Sequence, residues 1–201
     1  MSSARRLPFT FDAAALKSDL ERIGPREWVP HFNPQYYEGV WSGVALRSTG
    51  GHAAQLYADP SKSKSYADTP ALARSLYIKE ALGAFECALE TVRLLKLAPG
   101  SLIREHNDFD LGERFGVVRV HVPVLTNPSV EFALGGERVS MREGESWYLD
   151  LSLPHSVANR GTTDRVHLVV DCVVNDWVRS VICGGSPPVR EGVSGTQKPE
   201  R

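Results

Sequence analysis

The tripeptide His106-Asn107-Asp108 is the sharpest local feature of the sequence. Side chains two residues apart in a strand point to the same side of the chain. One imidazole nitrogen of His106 and one carboxylate oxygen of Asp108 can therefore reach a common metal ion. A polar turn after a strand is the alternative interpretation, and the tripeptide alone does not decide between the two.

A third metal ligand is available at His155, within the run Leu153-Pro154-His155-Ser156. Two histidines and one carboxylate form the facial triad of non-heme Fe(II), which leaves three coordination positions open. The alternative is a surface histidine at the start of a strand. The spacing of the residues that follow His155 favours the metal ligand.

A second pattern, Arg-x-His, occurs twice, at Arg119/His121 and at Arg165/His167. Because side chains alternate along a strand, each arginine shares a face with its histidine, and the valines and leucine between them form an apolar face. If the cationic faces meet solvent, these strands are ordinary. If they line a barrel interior, the arginines need anions, since an unpaired buried charge is costly. A dicarboxylate would supply them, because an arginine fork binds a carboxylate through two hydrogen bonds.

The composition excludes several classes of protein. The chain has 201 residues and a formal net charge of −1, so its charge does not favour nucleic acid or an anionic membrane as a partner. No stretch approaches the roughly 18 apolar residues of a membrane span, and no apolar run follows the basic N-terminus as in a secretory signal. Three cysteines without CxxC spacing argue against a disulfide framework or a structural zinc site. We therefore expect a cytoplasmic protein.

Short apolar segments separated by turn residues predict the strands that must position these motifs. Eight strands are predicted, at residues 91–97, 101–106, 117–124, 130–134, 137–141, 145–150, 156–159 and 165–173. This series is typical of a mainly β, double-sheet jelly roll of the cupin kind. Helices are predicted at 12–23, within 71–89 and at 176–182, and a further strand at 39–46.

We expect one domain over residues 1–183, with a barrel core at about 90–175. The segment 50–70 is rich in glycine and serine and predicts a long loop, either a lid or an insertion. The tail, residues 184–201, predicts disorder. Four residues before the barrel are candidates either for substrate contacts or for ordinary packing: Tyr36, Tyr37, Trp41 and Arg47.

Other polar residues are not expected to act in the site. His31 and His52 lie in predicted loops, where solvation is the expectation. Glu105 should point away from His106, and Asp110 lies in a predicted turn. Cys172 is expected to be an inert thiol of the core.

Taken together, the motifs resemble the aspartyl/asparaginyl β-hydroxylase family of 2-oxoglutarate-dependent oxygenases, over roughly residues 90–175. Within that family they are most similar to the bacterial proline cis-4-hydroxylase branch. The resemblance rests on four runs in this order: LAPGSLIREHND at 97–108, RVH at 119–121, ESWYLD at 145–150 followed by LPH at 153–155, and RVHLVVD at 165–171.

The resemblance implies a double-stranded β-helix with N-terminal helices packed on one sheet. It implies Fe(II) at His106, Asp108 and His155, and Arg165 on the distal carboxylate of 2-oxoglutarate. Arg119 and His121 would bind either the other end of 2-oxoglutarate or the carboxylate of the substrate. The implied reaction consumes O2, hydroxylates an unactivated C–H of a free amino acid or a similar small carboxylate, and releases succinate and CO2.

The sequence also departs from the family pattern. Leu95 stands where related eukaryotic enzymes carry a serine that helps to bind 2-oxoglutarate. Asp108 is present, whereas animal members can lack this carboxylate, which favours the small-substrate branch. The proline hydroxylases carry a longer C-terminal extension, so we expect the part of the site that closes over the substrate to differ.

Two alternative functions remain open at this stage. One is a β-hydroxylase of Asp or Asn in a peptide. The other is a cupin-fold protein that binds a small acid without catalysis, which would need the arginines but not a complete triad. The oligomeric state is not predicted.

Overall fold

The computed structural model describes residues 3–58 and 65–184. Thirteen strands lie within these two ranges: β1 (Ala4–Thr10), β2 (Val29–Pro30), β3 (Tyr37–Glu38), β4 (Trp41–Thr49), β5 (Tyr66–Asp68), β6 (Leu89–Leu97), β7 (Leu102–His106), β8 (Val117–Leu125), β9 (Val130–Leu134), β10 (Glu137–Arg138), β11 (Glu145–Leu149), β12 (His155–Asn159) and β13 (Arg165–Val173). The α-helices there are α1 (Ala13–Glu21), α2 (Pro70–Arg74), α3 (Leu76–Ala81) and α4 (Asp176–Cys183).

The strands form two antiparallel sheets. The larger sheet has eight strands in the order β1-β11-β8-β13-β6-β4-β2, with β5 paired to β4. The smaller sheet has five strands in the order β10-β9-β12-β7-β3. This is the predicted mainly β, double-sheet jelly roll, with β8 and β13 in the middle of the larger sheet.

The outer face of the larger sheet is apolar and is covered by the helices. Alternate residues of β8 and β13, among them Val120 and Leu168, belong to one buried cluster with Leu16 of α1, Ile78 of α3 and Trp177 of α4. Removing such side chains from water is the main favourable term in folding. The expectation that N-terminal helices pack on one sheet is therefore confirmed.

The inner face of the larger sheet meets the smaller sheet across a second apolar cluster. Leu97 and Val169 of the larger sheet contact a group that includes Ile103, Phe132 and Val157 of the smaller one. The same inner face carries Arg119, His121, Arg165 and His167, because these residues alternate with the apolar residues of β8 and β13. The cationic faces thus line the interior and do not meet bulk solvent.

The helix ends agree with local capping rules. Asp12 precedes α1, and its carboxylate accepts hydrogen bonds from the backbone N–H of Ala14 at 2.8 Å and of Ala15 at 3.1 Å. Asn175 caps α4 through the N–H of Val178 at 2.9 Å. Gly184 ends α4 with φ 88°, a left-handed conformation that glycine adopts without a steric penalty.

All eight predicted barrel strands are present. Two of them, β9 and β13, have the predicted bounds, the others differ at their ends, and one is much shorter than predicted. Only residues 137 and 138 of the predicted strand 137–141 pair with β9. Part of the predicted loop at 50–70 is structured, because β5 pairs with β4 and Pro70 begins α2. Residues 59–64 of that loop and residues 185–201 of the predicted tail lie outside the described residues.

Strand β1 was not predicted. It contains Pro8 and only one fully buried residue, Leu7, so it lacks the alternating pattern of a half-buried strand. Among the described strands, β1 lies at the edge of the sheet and pairs only with β11, which explains why a proline is tolerated.

None of the helices in the described parts of the chain is long and apolar enough to cross a membrane.

Candidate metal and 2-oxoglutarate site

Three predicted ligands meet at the open end of the smaller sheet. His106 ends β7 and His155 begins β12, and the two residues face each other in the antiparallel register of these strands. Asp108 follows β7 by two residues. One ligand atom from each of His106, Asp108 and His155 lies within 4.8 Å of the others, as a common metal ion requires.

Backbone contacts orient both imidazoles toward the metal position. His106 Nδ1 lies 2.8 Å from the carbonyl oxygen of Arg104, and His155 Nδ1 lies 3.0 Å from that of Leu153. A carbonyl only accepts, so each Nδ1 carries the proton and each Nε2 keeps a lone pair for a metal. Burial also lowers the pKa of His155, which favours the neutral form that binds metals.

Hydrogen bonds to the turn before β12 fix the segment that carries Asp108. The backbone N–H of Asp108 donates to the carbonyl of Leu151 at 2.9 Å, and the side-chain amide of Asn107 donates to the carbonyl of Ser152 at 2.7 Å. This donor set of two imidazoles and one carboxylate fits non-heme Fe(II).

The triad lies on the wall of a cavity of about 660 Å³ between the two sheets. All six predicted site residues line this cavity: His106, Asp108, Arg119, His121, His155 and Arg165. The structure therefore brings together residues that are up to 59 positions apart in the chain.

Arg165 is a buried cation without an acidic partner among the described residues. Its exposure is 2%, and its Nε has no hydrogen-bond partner within the described ranges. Its Nη2 donates to Nδ1 of His167 at 2.9 Å, and its guanidinium carbon lies 5.9 Å from the ring centre of Phe132. Burial lowers the pKa of Arg165 to about 9. Because an uncompensated buried charge is costly, this position favours an anionic ligand.

Arg119 differs from Arg165 because carboxylates of the chain hold it. Its Nη1 donates to Asp108 Oδ2 at 2.5 Å. Its Nε and Nη2 donate to Asp171 Oδ1 and Oδ2 at 2.6 and 3.0 Å. Burial alone would lower the pKa of Arg119, but Asp171 and Asp108 more than offset this effect and raise it. Two of its five N–H groups remain for a ligand.

Two histidines behind the triad are neutral. His121 Nδ1 lies 3.3 Å from His167 Nδ1, and burial lowers the pKa of both well below the usual value. His121 Nε2 is buried and has no partner within the described chain. His121 lines the main cavity, whereas His167 lies behind it and lines a smaller cavity of about 120 Å³.

The residues before the barrel divide into two groups. Tyr36 and Trp41 line the cavity, and the ring of Tyr36 stacks on His106 with centroids 4.9 Å apart. Tyr37 instead packs edge-on against Trp41 at 5.7 Å, and Arg47 pairs with Asp68 at 2.7 Å, away from the cavity.

The expectation that His31 is solvated is wrong. Its ring stacks on Trp41 with centroids 3.4 Å apart and lines the cavity, and burial together with Arg93 lowers its pKa to about 3. A contact between a loop histidine and a strand tryptophan leaves no local sequence signal. His52 is exposed as expected.

Arg93 and Asp171 also belong to the site, although sequence reasoning gave neither a role. Both are almost fully buried and pair with each other at 2.8 Å. Arg93 lies on β6, and its position opposite β13 follows only from the order of the strands. Each of the two residues is flanked by apolar residues in the sequence. That pattern could have indicated a buried ion pair, since a charge in a buried strand needs a partner.

The family model described as aspartyl/asparaginyl beta-hydroxylase matches residues 11–174. The chain belongs to this family. A curated relative, an L-proline cis-4-hydroxylase from Rhizobium meliloti strain 1021, is 29% identical over 183 residues. That match covers 89% of this chain but only 64% of the relative.

Solved structures share the fold. A 2OG-Fe(II) oxygenase family oxidoreductase from Burkholderia pseudomallei aligns with a TM-score of 0.55 and 15% identity, over 85% of each chain. A Pseudomonas putida prolyl-4-hydroxylase gives 0.53 and 13%, over 86% of this chain and 93% of that one. HygX from Streptomyces hygroscopicus, with nickel and 2-oxoglutarate bound, gives 0.51 and 14%, over 88% and 84%. At these identities the matches show a common fold.

Proposed function

We propose that this protein is an Fe(II)- and 2-oxoglutarate-dependent dioxygenase. It hydroxylates an unactivated C–H of a free amino acid or a similar small carboxylate, with succinate and CO2 as co-products. One observation carries the proposal: a complete His/Asp/His ligand set shares one cavity with a buried arginine that has no acidic partner among the described residues. The ligand set alone would fit many metal sites, and the arginine alone would fit many acids.

His106, Asp108 and His155 hold the iron in this proposal. Their two imidazoles are already in the tautomer that presents Nε2 to the cavity, so little reorganisation accompanies binding. With 2-oxoglutarate and O2, bound Fe(II) supplies the oxidising power that converts C–H into C–OH. The protein supplies geometry and keeps water out.

Arg165 binds the distal carboxylate of 2-oxoglutarate. Its buried charge gains a counter-ion on binding, and its planar fork matches a carboxylate. The side chain of Leu95, which also lines the cavity, contributes only apolar contact where relatives carry a serine hydroxyl. Arg119 and His121 bind either the other end of the co-substrate or the carboxylate of the substrate.

The substrate occupies the outer part of the cavity. A volume of about 660 Å³ exceeds what 2-oxoglutarate alone requires and leaves room for an amino acid beside it. Trp41, His31 and Tyr36 form an aromatic wall there. The resemblance to a proline hydroxylase supports a free amino acid as the substrate class. We also propose a cytoplasmic location, in line with three unpaired cysteines.

A peptide substrate is the second candidate. Four exposed aromatic side chains line the mouth of the cavity: Phe32 at 47% exposure, Tyr57 at 46%, Phe109 at 84% and Phe115 at 39%. Exposed apolar groups around a pocket often contact a ligand that extends beyond it.

The test is a turnover assay with a substrate panel. Purified protein is incubated with Fe(II), ascorbate, 2-oxoglutarate and either free amino acids or short peptides containing Asp, Asn or Pro. We expect a free amino acid to raise succinate release and to gain the mass of one oxygen. Hydroxylation of peptides alone would favour the second candidate. If no substrate raises succinate, and His106→Ala binds 2-oxoglutarate normally, the protein is a binding protein and the proposal fails.

A further inference from the structure

Four charged side chains form a continuous chain that starts at the metal position. Asp108 accepts from Arg119, Arg119 donates to Asp171, and Asp171 accepts from Arg93. The successive N–O distances are 2.5, 2.6 and 2.8 Å. The chain crosses neighbouring strands of the larger sheet, from β8 through β13 to β6.

Asp171 is the central anion of this chain. It is 1% exposed, and both of its oxygens are used. Arg119 Nε donates to Oδ1, while Arg119 Nη2, Arg93 Nη2 and the hydroxyl of Thr91 donate to Oδ2. Burial would raise the pKa of this carboxyl, but the two arginines hold the pKa far below its usual range. Asp171 is therefore a fixed negative charge with one orientation.

The consequence reaches Asp108 through Arg119. Asp171 takes two N–H groups on one edge of the guanidinium, which fixes its plane. The Nη1 of Arg119 then binds Oδ2 of Asp108, while Oδ1 lies 3.7 Å from Nε2 of His106. One carboxylate oxygen is thus assigned to the arginine, and the other faces the histidine ligands.

We propose that Asp171 is a positioning residue for the metal site, acting through Arg119 to present a single oxygen of Asp108 to the metal. The inference rests on the proposed function, since it assigns Asp108 to the metal. A purely structural role for the buried ion pairs is the competing explanation, because breaking such a network destabilises a fold in any case.

The two explanations differ in what Asp171→Asn does to metal binding. Loss of the negative charge releases one edge of Arg119, which is then free to pair with both oxygens of Asp108 and to compete with the metal. Removal of a group that orients a metal ligand typically costs about 10–100-fold in metal affinity. A purely structural role would lower the melting temperature and leave the affinity of the folded protein unchanged.

The experiment measures Co(II) affinity of the metal-free protein by absorption titration, with the melting temperature of each variant recorded alongside. Asp19→Asn is the matched control. Asp19 is also 1% exposed and accepts from Arg22 at 2.9 Å and from the N–H of Ile78 at 2.8 Å, on the helical side of the larger sheet. We expect a loss of about 10–100-fold for Asp171→Asn and no change for Asp19→Asn.

A double-mutant cycle tests the path through Arg119. If Asp171 acts through Arg119, adding Asp171→Asn to Arg119→Gln should have little further effect. We expect the Co(II) affinity to change by about twofold or less, which is the scatter within which mutational free energies normally agree. An unchanged affinity in Asp171→Asn, or a full further loss in the Arg119→Gln background, would overturn the proposal. His106→Ala separates this failure from that of the metal site, because a folded His106→Ala protein that binds Co(II) normally refutes the site itself.

Discussion

Arg165 is the residue whose surroundings say most about the ligand. The other two arginines of the cavity, Arg93 and Arg119, have carboxylate partners within the chain, and Arg165 has none among the described residues. The sequence predicted that an arginine next to a barrel histidine needs an anion. It could not say which arginine the chain neutralises, because Asp108 and Asp171 reach Arg119 only across strands.

Replacing Arg165 should weaken binding of 2-oxoglutarate and leave the metal site intact. We expect Arg165→Ala to raise the dissociation constant of 2-oxoglutarate by roughly tenfold or more, since a charge-assisted pair contributes about 1.5–3 kcal/mol. Calorimetric titration of the metal-loaded protein measures this. Arg160→Ala is the control, because Arg160 pairs with Glu131 on the surface. An unchanged constant in Arg165→Ala would refute the assignment.

At the scale of elements, the site depends on four strands, β7, β8, β12 and β13, and on the segment after β7 that carries Asp108. Most barrel strands could be predicted because alternating apolar residues and glycine or proline turns leave a local pattern. The edge strand β1 and the short β5 could not, since their pairing is set by tertiary context, and β10 is shorter than its predicted range. The stacking of His31 on Trp41 was missed for the same reason.

Gly144, next to β11, contacts the segment that follows the edge strand β1, because its carbonyl accepts from the backbone N–H of Phe11 at 2.8 Å. Its φ is +78°, and a Cβ there would lie 2.3 Å from the carbonyl oxygen of Phe11. We expect Gly144→Ala to lower the free energy of unfolding by about 2 kcal/mol or more, through backbone strain and the clash. Urea unfolding measures the change.

Gly83 provides the matched control for that substitution. A Cβ there would have no atom of the described residues within 4 Å. Gly83→Ala should therefore be neutral or stabilise by up to about 1 kcal/mol, because alanine reduces the entropy of the unfolded chain. Equal effects of the two substitutions would contradict the close packing of β1, β11 and the connection between β1 and α1.

At the scale of the whole molecule, the charges of the cavity differ from those of the surface. The net charge of −1 conceals three arginines that line one cavity, Arg93, Arg119 and Arg165. Asp108 and Asp171 pair with the first two, and Arg165 has no acidic partner among the described residues, which suits an anionic ligand. The composition could not reveal this, because the surface charges balance the interior.

Acid should destabilise the metal-free protein from about neutral pH downward. Burial lowers the folded-state pKa of His31 to about 3 and that of His121 and His167 well below the usual histidine value of about 6.5. The unfolded chain binds more protons below pH 6.5, so the free energy of unfolding falls as the pH drops from 7 to 5. The limit is about 1.4 kcal/mol per pH unit for each histidine.

Urea unfolding in the presence of a chelator, at pH values from 7.5 to 5, measures this dependence. His31→Gln should make the decline shallower, whereas His52→Gln, at an exposed position, should leave it unchanged. A free energy of unfolding that is flat over this range would show that these histidines are not held neutral by the fold.

The central claim is that metal and 2-oxoglutarate share one site, and anaerobic calorimetric titration of 2-oxoglutarate tests it most directly. We predict saturable 1:1 binding to the Fe(II)-loaded protein. Without the metal, 2-oxoglutarate loses its contacts to the ion, and we expect its dissociation constant to rise at least tenfold, which corresponds to about 1.4 kcal/mol. His155→Ala should lose the metal-dependent part, and His52→Gln should keep it. Equal affinity with and without Fe(II), or an unaltered metal effect in a folded His155→Ala protein, would contradict the account.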